Sequence, residues 1–117
     1  MVGVFVLSLP AVKTASAQVA AVELAEAQQA VARAGDAYAD QYAPELIGSA
    51  RQTLALAQAA AANRRDRKLA PVLALRAAAD ADLAHARSQE AQQKAQLEQR
   101  RGEISELQRT LGLEVTP

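Results

Sequence analysis

The stretch "PELIGSARQTLALAQAAAAN", residues 44–63, decides the fold. Pro44 has a fixed φ and no N–H, which suits the first position of a helix. From there Ile47, Ala50, Leu54, Ala57 and Ala61 recur at intervals of three and four, so a helix is predicted to about Ala62 with these residues on its buried face. Arg51, Gln52 and Gln58 then face water. Most of the stripe is alanine, which buries little area but lets a neighbouring backbone approach to roughly 8 Å. The core must therefore come from closely packed helices rather than from bulky side chains.

The flanks repeat this build. Upstream, "VAAVELAEAQQAVARAG" (residues 19–35) places Leu24, Ala27, Val31 and Ala34 on one face and ends at Gly35, a residue suited to the position just past a helix. The segment "DAYADQY" then reads as a loop. Downstream, "NRRDRK" (residues 63–68) is a short connection of the kind that joins antiparallel neighbours. A third helix begins either at Asp66 as N-cap or near Pro71. A start at Asp66 would put Pro71 in the second turn, where it removes a hydrogen bond, so the regular helix is placed from about Ala70. Its expected inward face is Val72, Leu75, Ala79, Leu83 and Ala86. No break comes before Arg101-Gly102, and the helix is predicted to run to about Leu111, roughly 60 Å, with the other two under half that length.

The excess cannot all be covered by the bundle. Within it Leu97, Ile104 and Leu111 recur every seven residues, with Leu107 between them, as in a short coiled-coil seam. Two readings stand for this tail: a seam for self-association or a partner, or a solvated, fraying end. The expected fold is all-α, a three-helix antiparallel bundle with a long, partly coiled-coil-like third helix.

Composition agrees. Of 117 residues thirty are alanine and twelve glutamine, with two Tyr, one Phe and no Trp, which favours helix over strand. A chain of this size makes one domain and leaves little room for a large catalytic cleft. Thirteen basic residues balance thirteen acidic ones, so no global pull toward nucleic acid exists. The absence of cysteine excludes disulfides, thiol chemistry and lipoprotein acylation.

Residues 2–9, "VGVFVLSL", form a bulky apolar run that ends at Pro10, ahead of Ala15-Ser16-Ala17. This is the layout of a signal peptide, with the small residues Ala15 and Ala17 three and one before a cut that leaves Gln18 as the new amino terminus; the alternative is an N-terminal strand or helix packed on the domain. The run is well short of the about 20 apolar residues of a membrane span. Met1-Val2-Gly3 carries no Lys or Arg, so the true start is expected upstream. The expected organisation is a cleavable signal at 1–17, an alanine-rich bundle at 18–100, and a helix extension with a C-terminal tail at 101–117. Losing residues 1–17 removes only Lys13 and leaves a net charge of minus one.

Chemistry is sparse. His85 is the single histidine, three residues after Asp82 and on the same side of a helix, but bundle metal sites draw several carboxylates and usually further histidines from other helices. No metal or other cofactor is expected. Asp80 and Asp82 diverge around the helix, and Ser8, Ser16, Ser49, Ser88 and Ser105 have no local base. No enzyme is expected. Arg64, Arg65, Arg67 and Lys68 form the sharpest charge feature; they either meet anionic headgroups or complement the negative end of the preceding helix and solvate a loop. Tyr38 and Tyr42 are expected to plug the end of the bundle.

At "YAPELIGSARQTLALAQAAAANRRD" (residues 42–66) and "LRAAADADLAHARSQEA" (residues 75–91) the chain resembles a bacterial family of alanine-rich envelope domains of unknown function, the one numbered four-three-nine-eight. The features are Tyr42-Ala43-Pro44 with Glu45-Leu46, the Ala50 and Leu54 stripe, Asp66, and the Ala79–Ala84 run, within a match over about residues 19–95. Arg67, where an aromatic often follows the Asp, and Pro71, in a normally proline-free helix, depart from the pattern. The resemblance implies an exported helical domain of the kind that stands alone or precedes an OmpA-like peptidoglycan-binding domain. The stand-alone form is expected here, so peptidoglycan binding and catalytic residues are not carried over.

The expected role is a periplasmic, non-enzymatic module of a Gram-negative bacterium, meeting an envelope protein or a second copy through its third helix. The alternative is a membrane-surface or lipid-binding protein using the basic loop at residues 64–68 together with Tyr38 and Tyr42. No nucleic acid or small-molecule substrate is expected, and any membrane contact would be peripheral.

Overall fold

The computed structural model describes residues 3, 4 and 11–112. Apart from Gly3 and Val4, the apolar run at 2–9 lies outside the described residues, as do residues 113–117 of the expected tail. The elements are α1 (Ala11–Asp36), α2 (Ala39–Tyr42), α3 (Pro44–Ala62), a 3-10 turn (Arg67–Leu69) and α4 (Ala70–Thr110), with no strand among the described residues. The fold is all-α.

α3 has the predicted bounds. Pro44 sits in its first turn, with Glu45 beside the positive end of the helix dipole. It ends where Asn63 turns extended; the Asn63 Oδ1 accepts the Arg65 N–H at 3.2 Å and its amide donates to Asp66 Oδ2 at 3.0 Å. α4 starts at Ala70 as Pro71 requires, and Asp66 serves a separate purpose: its carbonyl accepts the Leu69 N–H at 2.8 Å and closes the 3-10 turn. α4 stops at Gly112, whose φ of 70° is the left-handed conformation that commonly follows a helix.

α1 differs from expectation in beginning at Ala11 rather than Val19, so its 26 residues exceed half the 41 of α4. Alanine and β-branched residues there lack a helix stop, and the helix continues into the segment before the expected cut. The expected loop at residues 36–42 contains α2. Tyr38, at φ 61° and ψ 37°, reverses the chain, and Ala39 and Ala43 are buried behind it. Tyr38 is exposed and Tyr42 half-buried, so the tyrosines do not plug the bundle; Ala39, Ala43 and Ile47 fill that end.

Two buried clusters give the helix directions. Ala30, Ala34, Ile47, Ala50, Ala81 and Ala84 share one, and Ala27, Leu54, Ala57, Ala74 and Ala77 the other. α1 and α4 therefore run parallel, with α3 antiparallel to both. Cross-links agree: Arg33 pairs with Asp82 at 3.6 Å, Ser49 Oγ donates to Asp80 at 3.2 Å, and Gln92 donates to the Ala37 carbonyl at 2.7 Å. Because the layers are offset, α1 overhangs at the 63–69 end and α4 at the other, and the molecule measures 102 × 30 × 20 Å.

The inward face of α4 corrects the sequence reading. The buried residues are Ala70, Ala74, Ala77, Ala81, Ala84 and Ser88, whereas Val72, Leu75, Ala79, Leu83 and Ala86 point outward, Val72 being 65% exposed. On α3 the buried set is Ile47, Ala50, Thr53, Leu54, Ala57 and Ala60, with Ala61 only half-buried. The physical reason is close approach. Of the buried hydrophobic residues among those described only Ile47 and Leu54 are not alanine, and backbones held this near leave no space for a leucine between them. Ser88 is tolerated in the seam because its Oγ donates to the Ala84 carbonyl at 2.7 Å.

α2 is tied down by charge. The Arg51 guanidinium donates through Nη2 to Asp40 Oδ2 at 3.1 Å and through Nη1 to Oδ1, a two-pronged pair. Those hydrogen bonds hold the Asp40 carboxyl below its ordinary value of 3.8. A carboxyl with a depressed folded value stabilises the fold above the unfolded value and loses that contribution as pH falls through the folded one. Asp40→Asn should accordingly flatten the acid side of a melting-temperature profile taken between about pH 2 and 6, with a small effect because the pair is exposed.

Candidate interaction surface

The described part of α4 beyond the bundle is a single solvated helix. Every residue from 93 to 107 is exposed, and the expected seam residues are Leu97 at 49%, Ile104 at 54%, Leu107 at 61% and Leu111 at 70% exposure. Nothing in the described chain folds back on them. The helix passes straight through Gly102, where an added Cβ would meet open space and where φ is not positive. Gly102→Ala should therefore stabilise the extension by about 0.5–1 kcal/mol, read as slower hydrogen exchange of amides 97–108.

The stripe continues along the bundle. Leu69, just before α4, and Val72, Leu75 and Leu83 on its outward side are each exposed, so this helix has two apolar faces, an inner one of alanine and an outer one of larger residues. The sequence reading missed the outer face because it assigned three of these four to the core.

The basic loop is exposed at the opposite pole. Arg64, Arg65, Arg67 and Lys68 are all exposed and make no ion pair among the described residues. Val19 and Val22 are exposed on α1, which by the α1 and α4 register lies at this same end. Of the expected cleavage residues, Ala15, Ala17 and Gln18 all lie within α1, and Ala17 and Gln18 are exposed.

His85 is half-buried in an open polar cleft with Arg33, Asp36, Gln89 and Gln92, and Asp82 is engaged by Arg33. Asp80 is taken up by Ser49. The described residues hold no group of three or more metal-binding side chains, and no described helix is long and apolar enough to cross a membrane.

Neither a curated protein nor a solved structure matches the chain. A family model does, over residues 22–100, from the middle of α1 through the bundle and into the start of the α4 extension. Buried alanines from all three long helices fall within that span, and on this match the chain belongs to the family described as Domain of unknown function (DUF4398).

Proposed function

We propose that the protein is an exported, non-enzymatic helical module of the bacterial periplasm whose extended α4 presents a docking surface for an envelope partner or for a second copy. The observation that carries this is the exposed seam of Leu97, Ile104, Leu107 and Leu111 on a helix that outruns its bundle. Exposed large apolar residues arranged in register mark interaction sites more often than scattered ones do. The export reading is compatible with the packing: among the described side chains the first buried one is Ala20, so a cut after Ala17 leaves every described buried residue in place. Sedimentation across a concentration series, with crosslinking in cells, tests the docking surface. A mass that stays monomeric, with no crosslinked partner, would end it. Intact mass from the periplasmic fraction tests export, with residues 18–117 as the expected species.

A second reading is favoured by the pole at residues 64–68, where four cations with no ion pair among the described residues lie beside exposed Leu69, Val72, Val19 and Val22. Cations above apolar side chains suit an anionic lipid surface. Co-sedimentation with anionic vesicles should then weaken with salt and be lost in the Arg64→Ala, Arg65→Ala variant.

A further inference from the structure

We propose that the outer face of α4 is an antiparallel dimer interface, with the extension of one copy lying along the bundle of the other and the two helices crossing their symmetry axis near Ala95. This deepens the docking reading above and rests on it. At 100° per residue the outer stripe points roughly 170° away from the buried alanine stripe, so a second α4 can reach it without meeting α1 or α3.

Charge selects the occupant and its direction. Two charged residues interrupt the stripe at seam positions, Glu90 and Arg100, both exposed. In a parallel pair each would meet its own copy, Glu90 on Glu90 and Arg100 on Arg100, buried like charges that oppose association. In the antiparallel register centred on Ala95, Glu90 faces Arg100 of the other copy, twice by symmetry. The same register sets Leu83 against Leu107, Ala86 against Ile104 and Ala79 against Leu111. It thus covers the tail together with Leu83 of the bundle's outer face. Among the described residues Glu90 is paired with Arg87 at 3.5 Å on the surface, a contact that is easily exchanged.

Size agrees with a reversible complex. The overlap of residues 79–111 is about 50 Å long and one helix diameter wide, roughly 1,000 Å² over the two copies, at the lower bound for a specific interface. The dimer is therefore expected to be concentration-dependent.

The test uses the full chain, which has no cysteine of its own. Leu83→Cys and Leu107→Cys, both at exposed positions, are oxidised separately and as a mixture. The proposal requires that the mixture crosslink at least about tenfold more than either alone. It further requires that Arg100→Glu weaken the dimer about tenfold and that Glu90→Arg with Arg100→Glu restore it, since two reversed charges again attract. Leu107→Cys crosslinking to itself would overturn the antiparallel register and leave self-association standing. A monomer at all concentrations that still crosslinks to another envelope protein would overturn the dimer and leave the docking surface standing. A monomer with no partner would remove both.

Discussion

Ala81→Leu is expected to lower the melting temperature by roughly 10 °C or more, while Ala79→Leu, two residues away, leaves it nearly unchanged. Ala81 is fully buried in the cluster that joins all three long helices, and Ala79 is exposed. Three added heavy atoms at Ala81 can be housed only by driving the backbones apart, and that separates every alanine contact along the seam. Overpacking usually costs about 1–3 kcal/mol, and a shared seam places this case at the upper end. Thermal melts followed by circular dichroism decide the matter. A larger loss from Ala79→Leu would mean that α4 is rotated to the face first expected from its sequence.

The second large effect is at Ile47. Among the described residues it is one of two larger than alanine in the buried apolar core, and it is 1% exposed where the start of α3 meets α2 and α4. Ile47→Ala is expected to cost about 3 kcal/mol, from lost transfer energy and from the cavity left among alanines that cannot reach across it. Ile47→Val should cost about 1 kcal/mol. The urea midpoint should fall in both with an unchanged slope, because little surface is added to unfolding. Leu54→Ala should be milder than Ile47→Ala, since Leu54 keeps some exposure in the native state.

Those two predictions mark where the sequence was legible and where it was not. Pro44 and Pro71 carry their own geometry, so the starts of α3 and α4 follow from local chemistry alone, and Gly112 stops α4 next to the predicted Leu111. The rotation of α4 was not legible. Val72, Leu75 and Leu83 have the hydrophobicity of a core face, and Ala74, Ala77 and Ala81 do not announce themselves as one. Only the distance between helices distinguishes the two, and that distance depends on alanines of α1 and α3. On α3, where Ile47 and Leu54 fall in the alanine register, hydrophobicity and closeness agree and the stripe was nearly right. Tyr38 misled for a related reason. Its ring suggested burial, but the turn requires a left-handed backbone at that position, and the side chain is left outside. For the interaction surface, the heptad of Leu97, Ile104 and Leu111 was readable, and its continuation onto the bundle was not, since it became visible only once Leu83 was known to face outward.

The partner that α1 chooses has a bearing on folding order. It packs more extensively on α4 than on α3, and its Ala27 and Ala34 meet residues 74–84, which lie far downstream in the chain. Such non-local contacts form only after the intervening loop is closed, so α3 and α4, joined by a short connection, are expected to pair first and α1 to dock onto the finished hairpin. A chain emerging with its amino terminus first would hold α1 without its main template until the first half of α4 had followed. During that interval the protein cannot complete its bundle, and a half-emerged chain remains threadable until its last helix arrives.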